Sequence, residues 1–420
     1  MVSQDSSLIK AITMNWEKLH QTSVVADLHC HSAIKSSIFN RNLSDNKGKF
    51  LSRLFKEKFW PFSNRASFPK LMKGGLDIML STAYIPEGGW YSDVSKAKWI
   101  LNLFPSVKKS IYEQSYFNAT HDAIMKMESQ AGEWNKNEDN RQIYICREAK
   151  DIKKAIKKGH MALIHSVEGA HSLQNNSAKS YPHDISESYQ KKETDALDNL
   201  QKLYDSGVAY LTLAHFYPND CVYPVFPWPE YASSHGDWAT MLGKWDETKG
   251  LTPIGEKVVE KMLELGMLID ICHCTPLARQ QIFDIVDHHK AQECLLASHV
   301  GAFSVNRNMY NFTDREIKWM SDHGCVMGII FMNYWLSPTD TGLGLRYIEE
   351  TIDHMRSVGS SDCVAIGTDF DGFTDPPDEI VDMSQLPRIT KYLKSLRYPD
   401  DVIQKFLGEN ALRLLQNGWK

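Results

Sequence analysis

Short apolar runs rich in β-branched residues alternate with longer amphipathic segments along most of the chain. Each of eight such runs is followed by a polar or glycine-containing turn, at residues 23–31, 76–84, 161–169, 208–216, 267–273, 294–300, 325–332 and 363–372. Runs of this length and composition predict strands. The segments between them place apolar residues three and four apart and often end at glycine, which predicts helices, as in 252–266, 313–324 and 344–359.

Eight alternations of strand and helix favour a (β/α)8 TIM barrel in the α/β class. The competing doubly wound sheet favours a glycine-rich phosphate loop after an early strand, and neither GxGxxG nor GxxxxGK[S/T] occurs. We expect one domain over residues 1–420, with a barrel core over about 23–415. Long loops at 39–70, 174–195 and 216–249 are expected to overhang the C-terminal mouth of the barrel and to determine specificity.

Composition narrows the classes of partner. A hydrophobic fraction of 42% and a charged fraction of 24% are typical of a soluble globular protein, and a net charge of -5 argues against a nucleic-acid partner. No stretch approaches the roughly 20 apolar residues of a transmembrane helix, and the N-terminus lacks a signal peptide, so we expect a cytoplasmic protein unless an export signal has been trimmed. The eight cysteines form no CxxC pair and are expected to be buried, reduced thiols.

Metal-ligating residue types recur where the predicted strands end, at His29, His31, Glu168, His215, His273, His299, Asp369 and Asp371. One such residue alone is more often a hydrogen-bonded structural residue than a ligand. The carboxyl ends of barrel strands, however, converge on one mouth. Because polar residues stand at six of these ends, the sequence predicts a metal centre there.

The residue types favour zinc, although other divalent metals stay open. His29 and His31 lie two apart on a strand and share one face. Glu168 can bridge two cations through its two oxygens. A bridged pair would convert bound water to an attacking hydroxide, polarise a carbonyl and stabilise the oxyanion. Asp369 is placed to carry the proton to the leaving amine, whereas Asp371 lies further into the loop and can cap or brace it.

An ordered series of motifs runs from about Val24 to Leu415: EGAHSL, YLTLAH, GLTPIGEKVVEKMLELGMLIDICH, an SH and an RN pair, IGTDFDG and GENALRLL. The series resembles the membrane (renal) dipeptidase family of binuclear zinc peptidases in the amidohydrolase superfamily. The resemblance implies two zinc ions, with His29 and His31 as ligands from the first strand, Glu168 as the bridging carboxylate, and His273 and His299 as ligands of the second metal.

The same resemblance implies roles outside the metal ligands. His215 would approach the scissile carbonyl and the tetrahedral intermediate, Arg307 would hold the terminal carboxylate of the substrate, and Asp369 would manage protons. One position departs from the family, which usually has H-x-D where this chain has His29-Cys30-His31. The change removes a negative charge, which should make bound water more acidic and weaken the retention of one metal. HxH is the ordinary arrangement in the wider amidohydrolase superfamily.

These observations predict a zinc-dependent dipeptidase whose partner is a small dipeptide-like substrate, with a D-residue tolerated at the carboxyl side as the family often shows. An amidohydrolase acting on N-acyl amino acids, small amides or lactones is the alternative, because His31 and the long loops bear on substrate choice. A non-catalytic barrel is less favoured, because every ligand position keeps a competent residue. A homodimer stays open, since family members often dimerise.

Overall fold

The fold is known from a computed structural model that describes residues 15–45, 63–93, 107–181, 187–226, 245–338, 343–372 and 375–420. Within these ranges one parallel sheet contains nine strands: β1 (Ala26–Cys30), β2 (Ile78–Tyr84), β3 (Ile143–Cys146), β4 (Met161–Glu168), β5 (Val208–Thr212), β6 (Leu268–Asp270), β7 (Leu295–Val300), β8 (Val326–Ile329) and β9 (Val364–Ile366). Eight of them follow one another in the order β1-β2-β4-β5-β6-β7-β8-β9.

The two ends of this row meet. The backbone N–H of His31 donates to the carbonyl of Phe370 at 2.8 Å, and the N–H of Asp369 donates to the carbonyl of His29 at 2.9 Å. These bonds join the chain after β9 to the end of β1 and nearly close the ring. The predicted TIM barrel and its eight strands are therefore confirmed.

Strand β3 is the element that the sequence pattern missed. It pairs in parallel with β4, from Ile143 opposite Met161 to Cys146 opposite Ile164, and lies off the ring. Six of the eight predicted strands were too long at their carboxyl ends, whereas the predicted ends of β2 at Tyr84 and of β7 at Val300 are confirmed. The run 267–273, for example, is strand only over Leu268–Asp270. The residues beyond each short strand form the turns at the mouth.

Helices surround the barrel. The α-helices among the described residues are α1 (Trp16–Thr22), α2 (Ser32–Ser37), α3 (Phe68–Lys73), α4 (Gly88–Asp93), α5 (Tyr116–Asn135), α6 (Ala149–Lys157), α7 (Tyr189–Asp205), α8 (Pro253–Leu265), α9 (Pro276–His289), α10 (Asp314–Asp322), α11 (Asn333–Leu336), α12 (Leu345–Val358), α13 (Pro387–Ser395), α14 (Asp400–Gln404) and α15 (Asn410–Gly418). Short 3₁₀ turns stand at Ala170–Leu173, Ala178–Ser180 and Met383–Gln385, and π-helical turns at Lys108–Tyr112 and Lys405–Glu409.

The helices begin and end where the sequence places capping residues. Thr252 caps α8 by accepting a hydrogen bond from the N–H of Gly255, and Gly266 ends the helix with a φ of 70°. Thr313 and Glu316 form a reciprocal capping box at the start of α10. The three helices predicted over 252–266, 313–324 and 344–359 are thus confirmed as α8, α10 and α12.

The barrel interior changes from apolar to polar along the strands. Ala162 and Ile164 of β4 belong to one buried cluster with Leu414 of α15 and Trp419, which lie at the opposite end from the mouth. Two residues on, at the period of a strand, the interior positions become polar, with Glu168 as the last residue of β4. A packed apolar floor therefore supports a buried polar layer at the carboxyl ends.

Two further expectations concern thiols and membranes. All eight cysteines are buried and unpaired, as predicted. Among the described residues, no helix combines the length and the apolar character needed to cross a bilayer.

Candidate metal centre

Four imidazoles surround the buried carboxylate of Glu168 at the mouth of the barrel. The Nε2 atoms of His29, His273 and His299 lie 3.4, 3.3 and 3.6 Å from Oε1, and Nε2 of His31 lies 3.2 Å from Oε2. The imidazoles form two pairs: Nε2 of His29 is 3.0 Å from Nε2 of His31, and Nε2 of His273 is 2.8 Å from Nε2 of His299. The chain thus brings all five residues predicted as ligands to one point.

Strand ends and strained turns hold these side chains in place. Glu168 is the last residue of β4, whereas His273 lies three residues beyond β6 with a φ of 62°. Asp369 and Asp371, after β9, have φ values of 55° and 67°. Left-handed backbone is unfavourable for residues other than glycine and is concentrated at functional sites. The turns after β6 and β9 therefore carry strain at the mouth.

Electrostatics keeps the central carboxylate ionised. Burial acts to raise the pKa of Glu168, but the imidazoles of His215, His29 and His31 outweigh burial and hold this pKa well below its usual range. Burial acts to lower the pKa of His31, yet Glu168 and Asp369 outweigh it and raise the pKa to about 10. A cation that bound here would therefore displace a proton from His31.

The second imidazole pair is electrostatically different. Burial is the main reason that the pKa of His273 is lowered and that the pKa of His299 lies well below its usual range. Both imidazoles are neutral near pH 7, which is the state that a metal requires. The two pairs differ because His31 contacts two carboxylates, with Nε2 only 3.2 Å from Oδ1 of Asp369 as well as 3.2 Å from Glu168.

The donor set fits divalent cations. Ligand atoms of His29, His31 and Glu168 lie within 4.8 Å of one another, as do those of Glu168, His215 and His273. Imidazole nitrogens and carboxylate oxygens are ligands for Zn²⁺ and neighbouring transition metals. Among the described residues Nδ1 of His31 and of His273 has no hydrogen-bond partner, so these rings make no competing contact through that atom.

His215 stands beside this centre and is fixed by a residue that the sequence pattern missed. Its Nδ1 lies 2.9 Å from Oε1 of Glu87, and its Nε2 lies 3.5 Å from Oε2 of Glu168. Glu87 also accepts from the N–H of Phe216 at 2.9 Å and from the hydroxyl of Tyr84 at 2.6 Å. His215 and His171 outweigh burial and lower the pKa of Glu87 to about 2. A buried ionised carboxylate therefore orients His215.

The two aspartates after β9 have separate surroundings. Asp369 contacts His31 and lines the mouth cavity. Asp371 accepts from the N–H groups of Arg65 and Ala66, both at 3.0 Å, and from the hydroxyl of Ser63 at 3.3 Å. Asp371 thus braces the loop before α3, as its position in the sequence allowed.

Arg307 lies apart from the residues around Glu168. Its side chain is exposed and has no hydrogen bond or ion pair among the described residues. The loop that carries it is attached to the mouth, because Asn306 donates to the carbonyls of Tyr334 and Trp335, and Tyr310 packs 5.1 Å from the His273 ring. Arg307 is therefore at the rim of the site.

A narrow cavity of about 10 Å³ lies over the carboxylate. Its walls include Tyr84, Phe216, Tyr334 and Trp335 beside the imidazoles. Trp335 stacks on Tyr310 with ring centroids 4.2 Å apart. The long loop predicted over 216–249 includes residues 227–244, which lie outside the described residues.

Comparison with known proteins agrees with this architecture. Residues 191–418 match the model of the membrane dipeptidase family, peptidase family M19. A protein of Klebsiella pneumoniae, named as an uncharacterized protein in the pqqA 5′ region, is 34% identical over 181 residues, which is 42% of this chain. The matched part spans 65% of that relative's length.

Two solved structures share the fold. A metallopeptidase from Rhodobacter sphaeroides, liganded with a phosphinate mimic of the dipeptide L-Ala-D-Ala, has a TM-score of 0.66 and 19% identity, covering 95% of this chain and 100% of that one. The probable dipeptidase PvdM from Pseudomonas aeruginosa has a TM-score of 0.68 and 16% identity, covering 97% of this chain and 98% of that one. At identities this low, the likeness shows a shared fold and nothing further.

Proposed function

Because the chain belongs to the membrane dipeptidase family of metallopeptidases, we propose that it hydrolyses dipeptides at the centre around Glu168. One observation carries the proposal: two pairs of imidazoles face the same buried, ionised carboxylate. Such an arrangement can hold two cations with the carboxylate between them.

We propose Zn²⁺ as the metal, with two ions in each chain. His29 and His31 would hold one ion, His273 and His299 the other, and Glu168 would bridge them. When bound, the ions would acidify a water held at the centre and polarise the scissile carbonyl. The nitrogen and oxygen donors, with no thiolate among them, support zinc.

Two side chains would stabilise the charge that develops on the carbonyl oxygen and transfer the proton of the attacking water. Burial acts to lower the pKa of His215, but Glu168 and Glu87 outweigh it and raise this pKa. As an imidazolium, His215 would donate from Nδ1 to Glu87 and from Nε2 to the carbonyl oxygen as negative charge develops there. Asp369 would accept the proton of the attacking water and deliver it to the leaving amine nitrogen. Its contact with His31 keeps the Asp369 carboxylate at the centre.

Substrate length would be set at the rim. Arg307 has an exposed guanidinium with its donors free among the described residues, and such a group can bind a substrate carboxylate through two parallel hydrogen bonds. Tolerance of a D-residue at the carboxyl side is part of the proposal, and the L-Ala-D-Ala mimic bound to the Rhodobacter sphaeroides metallopeptidase supports it.

A panel of four substrate types tests the proposal on zinc-loaded protein: L-Ala-L-Ala, L-Ala-D-Ala, their C-terminal amides and N-acetyl-L-alanine. We expect hydrolysis of both dipeptides and a much lower kcat/KM for the amides. Preference for N-acetyl-L-alanine at equal metal content would favour the alternative amidohydrolase activity. Full metal content without turnover of any amide or ester would overturn catalysis altogether.

A further inference from the structure

A single buried hydroxyl lies behind the candidate metal centre. Oγ of Ser298, in β7, is 2.9 Å from Nδ1 of His29, 2.8 Å from Nδ1 of His299 and 2.6 Å from Oδ2 of Asp270. Ser298 is fully buried, and its carbonyl approaches Gly328 and Gly367 so closely that a Cβ there would lie 2.2 and 1.8 Å away. The neighbouring strands thus pack closely against the backbone of Ser298.

Asp270 determines which way the hydroxyl points. Its Oδ1 accepts from the N–H groups of Cys272 and Ser298 at 3.2 and 3.0 Å, and its Oδ2 lies 2.6 Å from the hydroxyls of both Thr212 and Ser298. The two oxygens of this carboxylate thus accept four hydrogen bonds. The Ser298 hydroxyl therefore donates to Asp270. A second contact of Oγ, with Sγ of Cys272 at 3.6 Å, offers a weaker acceptor than the carboxylate.

Oγ of Ser298 can therefore only accept further hydrogen bonds. A serine hydroxyl has one hydrogen and two lone pairs, and the hydrogen is already donated to Asp270. Both imidazole Nδ1 atoms must then carry hydrogens directed at Oγ. For His29, the hydroxyl of Tyr210 is a second acceptor at 2.9 Å, because Tyr210 donates its own hydrogen to the carbonyl of Leu28.

We propose that Ser298 is a positioning residue that sets the tautomers of His29 and His299 together, so that both present an unprotonated Nε2 to a divalent cation. The inference rests on the proposed metal centre. Ser298 acts on one member of each imidazole pair, since Nε2 of His29 faces His31 and Nε2 of His299 faces His273. The other members, His31 and His273, have no Nδ1 partner among the described residues. One hydroxyl thereby links the two cation sites.

The test compares Ser298→Ala with Ser81→Ala in zinc affinity, measured by competition with a chromophoric chelator. Ser81 is a buried serine of β2 whose hydroxyl has no partner in the described part of the chain, so its replacement removes a hydroxyl without removing a hydrogen bond. We expect Ser298→Ala to weaken binding at the site of His299 by about 10- to 100-fold, the usual effect of losing the group that orients a ligand. The site of His29 should weaken less, because Tyr210 still accepts from its Nδ1. Ser81→Ala should match the wild type.

Nitrogen NMR of histidine-labelled, metal-free wild-type protein provides a second readout that does not depend on a stable Ser298→Ala protein. The resonances of His29 and His299, assigned from His29→Gln and His299→Gln proteins, should show protonated Nδ1 and unprotonated Nε2. The opposite tautomer at either residue overturns the inference, and so does a Ser298→Ala protein that binds zinc as tightly as Ser81→Ala. A wild-type protein that binds no divalent cation would instead overturn the proposed function.

Discussion

Replacing Glu87 with glutamine separates the orientation of His215 from the binding of metal. In the wild type, Oε1 of Glu87 accepts from Nδ1 of His215 and from the N–H of Phe216, both at 2.9 Å. Glutamine keeps the size of the side chain, and its amide oxygen can accept one of these bonds. It removes the negative charge that faces the imidazole. None of the five candidate ligands is altered.

Two estimates of the effect agree. A hydrogen bond to a buried charged group contributes about 1.5–3 kcal/mol. The pKa of Glu87, lowered from 4.5 to about 2, corresponds to about 3 kcal/mol of preferential interaction with the ionised form. If His215 stabilises the transition state through this contact, kcat should fall about 10- to 100-fold, because each factor of ten corresponds to about 1.4 kcal/mol. KM and zinc content should stay close to the wild-type values.

Steady-state kinetics on zinc-loaded protein measures this effect, and Glu128→Gln is the matched control. Glu128 also faces a buried histidine, His165, at 3.1 Å, but that pair lies outside the mouth cavity. Glu128→Gln should reduce stability without reducing kcat. Equal kcat values for the two variants would refute the assigned role of Glu87. A fall in kcat that tracks a loss of zinc would refute it too.

The same variant makes a prediction about pH. The folded-state pKa of Glu87 lies below its unfolded value, so its stabilising contribution is present above about pH 4.5 and is lost as the pH falls toward about 2. The melting temperature of metal-free Glu87→Gln should therefore be several degrees below that of the wild type at pH 6. This difference should narrow steadily toward pH 3. A difference that stays constant with pH would contradict the ionised state of Glu87.

Three further replacements test separate parts of the protein. Asp369→Asn should keep both metals while kcat falls by about 10²- to 10⁴-fold, as expected for a lost proton carrier; unchanged kcat in metal-matched assays would contradict that role. Arg307→Ala should raise KM for dipeptides by about 10- to 100-fold, the effect of losing a charged hydrogen bond, and an equal rise for C-terminal amides would argue against a carboxylate contact. Thr313→Ala should cost about 1 kcal/mol through loss of the α10 cap, seen as a lower melting temperature with normal kcat, and an unchanged melting temperature would mean that the cap contributes little.

The barrel was predictable because its strands are buried on both faces and read as continuous apolar runs. Helix ends were predictable where capping residues mark them, as at Thr252 and Thr313. The carboxyl ends of several strands were not predictable, because the apolar pattern continues into turns at the mouth. One such turn contains His273, whose φ of 62° ends the extended chain. The four-residue β3 was missed because its run is too short to stand out.

The candidate ligands were predictable for a different reason, since strand order brings the carboxyl ends of parallel strands to one mouth. Glu87 was not, because it lies three residues beyond β2 in a loop whose path the pattern does not specify. Asp270 and Ser298 did leave a signal, a polar residue inside an apolar run. Arg307 was predicted from family resemblance alone, because an exposed side chain in a loop leaves no mark on the apolar pattern.

Metal analysis of the wild type and of Glu168→Gln tests the central claim most directly. Within the described ranges, Glu168 is the one carboxylate that all four candidate imidazole ligands face. After reconstitution with zinc and removal of excess metal, we expect about two ions per wild-type chain and a large loss from Glu168→Gln. No bound metal in the reconstituted wild type, or equal metal in the two proteins, would contradict a centre built on Glu168.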